Sequence, residues 1–342
     1  MHRKTSALAA LAASALVLAG CSQADAGPAA TESATADAAP ASITLYTSEP
    51  QEKIDQIVAA FNERRPEITV EVFRAGTGDL NARIESERAT GEVQADVLLA
   101  ADAPTFEGFA ADGLLLELDT ADVDALDPAV VDPEGFYVGT RIIPTVIAYN
   151  TDVVDAPPAS WQELTDPAYA DRLVMPNPDV SGAAAFNAAV WLDEAELGEA
   201  WLTALAANEP VIVDSNGPTS QAIASGAQPV GVVVDYLVRD LAAAGSPIAV
   251  SYPSEGVPFV SQPAGVFAST DEADAAQAFV DFLVSVEGQT IAVEQAYLPV
   301  RGDVGTPEGA PAMSDIALLN PDLEVIAATK ADAVATFNEL FQ

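Results

Sequence analysis

ITLYTSEPQEKIDQIVAAFNERRPEITVEVF, residues 43–73, holds two strands and the helix between them. Residues 43–46 are β-branched or aromatic apart from Leu45, the composition of a strand. In 52–65, Ile54, Ile57, Val58 and Phe61 recur at helical spacing. Pro66, which has no amide proton and a fixed φ, ends that helix before a second strand begins at 68–73. The pattern continues with a helix over 79–88 and a strand over 95–100 bounded by Asp102 and Pro104. Strand alternating with helix is the signature of a parallel sheet covered by helices. It resumes downstream, with strands at 173–175, 211–213 and 230–234 and helices at 183–192, 194–207 and 219–225. There is no close internal repeat, and the length suits two α/β lobes of about 150 residues each.

Toward the N-terminus the sequence changes character. His2, Arg3 and Lys4 precede an apolar or small run over 7–19, which closes on Leu18-Ala19-Gly20-Cys21. This is the layout of a secretory signal, and the run is too short to span a bilayer as a mature helix. Cys21, the single cysteine, stands where a lipoprotein signal places the residue that is acylated and becomes the new N-terminus. Residues 1–20 are therefore expected to be removed, and 21–41, without bulky apolar side chains up to Ala41, to serve as a flexible tether. The expected location is the outer face of the cell membrane, with contact to the bilayer through the lipid alone.

Removal of the signal takes away His2, the only histidine, and lipid consumes the only thiol. A Ser-His-Asp triad, a Cys-His pair, zinc sites bearing His or Cys, and disulfides are all excluded from the mature chain. The signal holds two of the 13 basic residues and no acidic one, leaving 11 basic against 52 acidic residues and a net charge of −41. Such a chain repels nucleic acid and stays soluble by self-repulsion. No cofactor is called for, and the chain is read as a monomer and not as an enzyme. Only carboxylate chemistry would remain open to a hydrolase, and no Asp/Glu pair is singled out for it.

Beyond these patterns, several short segments carry a family likeness: Leu45-Tyr46-Thr47-Ser48, Gly76-Thr77-Gly78-Asp79 followed by Arg83-Ile84, and Ala95-Asp96-Val97-Leu98. Downstream stand Ala148-Tyr149-Asn150-Thr151-Asp152, Met175-Pro176-Asn177-Pro178 before Ser181-Gly182, and Ser225-Gly226 before an apolar strand read over 230–236. The segment 276–289, similar to a helix near the hinge, and Tyr297-Leu298-Pro299-Val300-Arg301, similar to a closing strand, complete the set. In this order and spacing, over about residues 43–302, the chain resembles the solute-binding proteins of ABC importers, in the group that includes ferric-ion, thiamine, polyamine and aminoethylphosphonate binders. The resemblance implies an α/β, two-lobed periplasmic-binding-protein fold of type II. Each lobe would be a mixed, mostly parallel sheet flanked by helices, joined by a hinge of two crossing strands near 140–149 and 262–267. Lobe one would span 42–143 and 264–303, lobe two 144–263, and a helical segment 304–342 would follow. The implied partners are a small-molecule ligand held between the lobes as they close and the permease subunits of the importer.

In such a fold, ligand is expected at strand carboxyl ends and helix N-termini, where unpaired amides and the helix dipole favour negative charge. The candidates are Thr47 and Ser48 after the first strand, Thr77 and Gly78 at the second helix, Ser181 and Gly182 at a later helix start, Asn216 in Ser215-Asn216-Gly217, and Tyr236. Each of the turn residues can also be read as an N-cap with no ligand. Ferric members of the resembled group carry two adjacent tyrosines where this chain has Tyr236-Leu237. A ferric site here would have to draw on Tyr236, Asp235 and Glu49, a poor match for an ion that wants several anionic oxygens. The expected ligand is an oxyanion-bearing organic molecule such as a phosphonate or phosphate ester, with ferric iron, a polyamine or thiamine as alternatives and a carboxylate-dependent envelope hydrolase as the remote one. Arg141, near the hinge, is the nearest candidate for an anion clamp but is out of register with the resembled pattern.

Overall fold

A computed structural model describes residues 40–120, 122–312, 315–319 and 321–342. The segments expected to be signal and tether, up to residue 39 and including the candidate acylation site Cys21, lie outside the described residues.

The first lobe follows the expected alternation closely: β1 (Ala41–Thr47), α1 (Gln51–Arg64), β2 (Ile68–Arg74), α2 (Thr77–Thr90), β3 (Val97–Leu99) and α3 (Ala103–Ala111). The apolar face of α1 buries Ile54, Ile57 and Phe61. Phe61 meets Phe279 edge-on at 5.1 Å between ring centroids, which ties the front of the chain to its far end. After β4 (Val138–Gly139) the chain crosses into the second lobe. There it forms β5 (Ile143–Asn150), β6 (Leu173–Pro176), α4 (Gly182–Asp193), α5 (Gly198–Ala206), β7 (Val211–Val213), α6 (Asn216–Ala224), β8 (Val230–Val234), α7 (Asp235–Ala243), β9 (Ile248–Ser251) and β10 (Phe259–Val260). It returns as β11 (Pro263–Val266), followed by α8 (Ala273–Val284), α9 (Val286–Glu294) and, after an irregular stretch, α10 (Leu323–Phe341).

Two sheets result. The first has the order β2-β1-β3-β11-β4, and the second runs β10-β5-β8-β6-β7 with β9 also paired to β5. The crossings are short, three residues between β4 and β5 (140–142) and two between β10 and β11 (261–262). In the first sheet most of the pairing is parallel, from β1 with β2 and β3. The expectation of a mostly parallel sheet fails in the second: β5 runs antiparallel to β8, β9 and β10, and only β6 pairs in parallel, with β7 and β8. The cause is the crossover itself, since β5 enters from the hinge in the opposite sense to the strands it joins.

Three further expectations change. The strand over 230–234 forms as its β-branched run predicts, whereas its extension to 236 in the family likeness does not: Asp235 and Tyr236 open α7 instead, because the acidic side chain suits a helix first turn. The segment 276–289 is two helices: the Ser285 side chain accepts the Gly288 amide and caps α9. Residues 297–301 form no strand, only single bridges from Leu298 to Ile142 and from Arg301 to Leu126. Among the described residues, no helix is long and apolar enough to cross a membrane.

The helix α10 is placed by both lobes. It packs on α3 of the first and on α4 and α5 of the second, burying Ile326, Ala333 and Phe337. Lys330 Nζ reaches the carboxylate of Asp102, buried at the head of α3, at 2.6 and 2.7 Å, and Asn338 donates to Asp179 at 3.1 Å.

Candidate functional site

A cavity of about 340 Å³ opens between the sheets where strand carboxyl ends and helix N-termini face one another. The first lobe brings Ser48 and Glu49 after β1, Arg74 at the end of β2 and Thr77 at the start of α2. The second brings Ser181, Gly182 and Ala183 at the start of α4, Ser215, Asn216 and Gly217 at the start of α6, and Tyr236 and Leu237 in the first turn of α7. The hinge residue Gln262 and, from the end of the chain, Tyr297 close its floor.

Six of the eight sequence candidates therefore share this wall: Ser48, Thr77, Ser181, Gly182, Asn216 and Tyr236. The other two do not line it. Thr47 is fully buried, and its hydroxyl accepts the Glu49 amide at 3.0 Å, which makes it a turn residue. Gly78 is turned to the opposite lobe: a Cβ there would come within 2.3 Å of the Asp179 carbonyl oxygen. Its missing side chain permits close approach of backbone to backbone, between lobes.

Hydrogen bonds narrow what the wall offers. The Ser181 hydroxyl accepts the Ala184 amide at 3.3 Å as an N-cap and also the Asn216 side-chain amide at 2.9 Å. Asn216 Oδ1 in turn accepts the Val234 amide at 3.2 Å. One polar pair thus fixes the heads of α4 and α6 and the end of β8 against each other. The first turns of α4 and α6, together with Thr77 at the head of α2, border one cavity, and helix first turns carry amides without intrahelical acceptors.

The floor is a network that sequence reading missed. The Tyr297 hydroxyl donates to Glu49 Oε1 at 2.7 Å, and Gln262 Nε2 donates to Oε2 at 2.6 Å. Arg141 Nη1 lies 3.0 Å from the same Oε1, an ionic contact without well-directed hydrogen-bond geometry, and its guanidinium stacks on the Tyr297 ring. The Tyr236 and Tyr297 rings are 4.3 Å apart between centroids. Burial, then the neighbouring Glu49 carboxylate, pushes both phenols above their ordinary range. Asp235 is fully buried below the wall and bound by Arg239 at 2.6 Å, and burial raises its carboxyl. It does not line the cavity, so Asp235 and Glu49 are not brought together with Tyr236 as open ligands for an ion.

Arg74 was also missed, although its position at a strand carboxyl end is the one where ligand is expected. Its Nε donates to the Glu49 carbonyl oxygen at 3.2 Å. Among the described residues, every lysine and arginine other than Arg74 and Arg172 has a carboxylate within salt-bridge distance. Only Arg74 of these two faces the cavity.

Comparison with known proteins agrees with this geometry. The family model described as bacterial extracellular solute-binding protein matches residues 56–317. A Salmonella typhimurium protein, provisionally named as 2-aminoethylphosphonate-binding and periplasmic, is 27% identical over 256 residues, 69% of this chain and 71% of its own length. Iron-bound HitA from Pseudomonas aeruginosa superposes with a TM-score of 0.78 at 25% identity, covering 89% of this chain and all of its own. AfuA from Actinobacillus pleuropneumoniae, with exogenous fructose-6-phosphate bound, gives a TM-score of 0.80 at 20% identity over 88% of this chain and 98% of its own.

Proposed function

Because the chain belongs to the bacterial extracellular solute-binding protein family, we propose that its cleft captures a small organic oxyanion, a phosphonate or phosphate ester, and hands it to the permease of an ABC importer. The observation that carries this reading is Arg74. In a sequence of 52 acidic and 13 basic residues, almost every cation is claimed by a carboxylate, yet this one stands without one at a cavity ringed by the N-termini of α2, α4 and α6. Helix dipoles and free amides supply the remaining neutral donors that suit an oxyanion. A polyamine would need open carboxylates, and the one carboxylate on the wall, Glu49, is already bound by Tyr297, Gln262 and Arg141. Delivery would take place from the outer face of the cell membrane, where acylated Cys21 would tether the monomer.

Arg74→Gln tests the reading. A hydrogen bond to a charged group contributes about 1.5–3 kcal/mol, so affinity for a bound phosphonate or phosphate ester should fall roughly 10- to 100-fold by calorimetric titration. The melting temperature of the ligand-free chain should hardly move, because the Arg74 side chain is exposed. Unchanged affinity would dismiss Arg74 as the anion contact.

The second reading, ferric iron, gains from the floor: Tyr297 supplies the second phenol that Leu237 does not. It ranks lower because Asp235 does not line the cavity and both Glu49 oxygens are already bound by Tyr297, Gln262 and Arg141, which leaves few open anionic oxygens for a hard ion.

A further inference from the structure

The charges around the cavity floor say what the far end of the ligand must be. This step rests on the oxyanion reading and narrows its class. Charged side chains on the cavity wall are two, Arg74 and Glu49. Arg74 belongs to the oxyanion end. Glu49 is the only group that could answer a positive charge on the ligand, and its carboxylate is spent: Oε1 takes the Tyr297 hydroxyl at 2.7 Å and the Arg141 cation at 3.0 Å, and Oε2 takes Gln262 at 2.6 Å. With Glu49 1% exposed and Arg141 2% exposed, this ion pair is shielded from water and its two charges cancel at short range.

The aromatic route for an ammonium is also taken. Tyr236 and Tyr297 would otherwise offer ring faces to a cation. Lys53 Nζ already lies 5.1 and 4.9 Å from their centroids, held by the Gln295 carbonyl and by Asp240 at 2.9 Å. Arg141 covers Tyr297 as well, at 4.5 Å. A ligand ammonium entering here would shed its hydration, find no unpaired anion and meet two fixed cations; such a transfer is unfavourable. A hydroxyl meets no such penalty, since it carries no charge to be left unpaired and the wall holds neutral polar side chains such as Ser48 and Ser215.

We infer that the cleft selects a phosphate ester or phosphonate whose remainder is uncharged and hydroxylated, and that the Arg141–Glu49 pair rejects zwitterions carrying an ammonium group. Neither residue needs to touch the oxyanion for this; the pair sets ligand class by cancelling a charge that would otherwise attract amines.

Matched ligands decide it. The purified chain is titrated by calorimetry with glycerol 3-phosphate against phosphoethanolamine, and with 2-hydroxyethylphosphonate against 2-aminoethylphosphonate. The ammonium-bearing member of each pair is expected to bind at least 10-fold more weakly. In Arg141→Gln, which leaves Glu49 without its cation, that gap should close or invert. Equal or tighter binding of the ammonium-bearing members by the wild type overturns the inference and leaves the oxyanion reading standing. Failure of all four to bind removes the oxyanion reading and the inference with it. Should Arg141→Gln fail to fold, the wild-type pairs are decisive alone, and an undiminished gap in a folded variant also overturns the role given to Arg141.

Discussion

Gly182, at the head of α4 in lobe two, packs so closely on Thr77, at the head of α2 in lobe one, that a Cβ on the glycine would lie 2.9 Å from the threonine Cβ. The same Cβ would come within 2.5 Å of the Ala101 carbonyl oxygen, also in lobe one. With Gly78 against Asp179, the two helix heads meet across the cleft through bare backbone, and the lobes are shut upon the cavity.

Gly182→Ala should therefore hold the lobes apart. The clash is with a carbonyl oxygen and a short β-branched side chain, neither of which can rotate away, while a hinge opening relieves it at once. Affinity for the ligand should drop at least 10-fold, about 1.4 kcal/mol, with the ligand-free melting temperature little changed. Solution scattering should show that added ligand no longer contracts the chain. A variant that closes and binds as the wild type does would mean that the contact belongs to one state only by accident of packing.

How much of this was legible in advance follows from how local each signal is. The first five elements were read from spacing alone, since the apolar residues of α1 and the β-branched runs of β1 and β2 are contiguous in sequence. The β8 to α7 boundary stayed open between 234 and 236 because Val230 to Tyr236 is apolar at nearly every position, and a run of that kind does not say where a buried strand gives way to a helix. The helix heads at Thr77, Gly182 and Asn216 were approached from the turn residues before them, each read a little late in sequence, and only Ser181 among those residues caps its helix through its side chain. The floor was invisible for the opposite reason: Tyr297 meets Glu49 across 248 positions of sequence, and Gln262 meets it across 213. Arg74 is different. It stood at a strand end where the same rule applied, and was passed over because a single arginine carries no pattern.

Cys21→Ser should free the chain from the membrane fraction into medium or periplasm with its melting behaviour intact, because no other thiol is available for acylation. Fractionation in which the variant remains membrane-bound would require another anchor.

Lys330→Met isolates what α10 contributes. Asp102 is 2% exposed and keeps Thr105 and Asn81 as hydrogen-bond donors, but among the described residues its one cation is Lys330. Removing one partner of a buried or half-buried ion pair leaves an uncompensated charge, at a penalty of about 2–3 kcal/mol. Thermal denaturation should show a loss of several degrees. Lys330→Met combined with Asp102→Asn should recover part of it, which a merely steric role for Lys330 would not allow.

The phenols of the floor give a pH prediction and a separate test of the two ligand readings. Tyr236 and Tyr297 titrate above their ordinary range in the folded chain because burial, reinforced by Glu49, disfavours the phenolate; Tyr137 and Tyr252 are raised likewise by burial and nearby carboxylates. In the unfolded chain all four lose their protons near pH 10. Above that pH the folded state binds more protons than the unfolded one, so their contribution to stability is complete below about pH 10 and declines as pH rises further. Chemical denaturation between pH 9 and 11 should show this decline, and Tyr297→Phe should make it shallower. Iron is a separate matter of ligands, since the Glu49 oxygens near the two phenols are already taken by Tyr297, Gln262 and Arg141. Ferric salts with carbonate or citrate at neutral pH should accordingly produce little tyrosinate charge-transfer absorbance and little thermal stabilisation. A strong visible band that disappears in both Tyr236→Phe and Tyr297→Phe would place iron in the cleft, and Arg74 would then need another explanation.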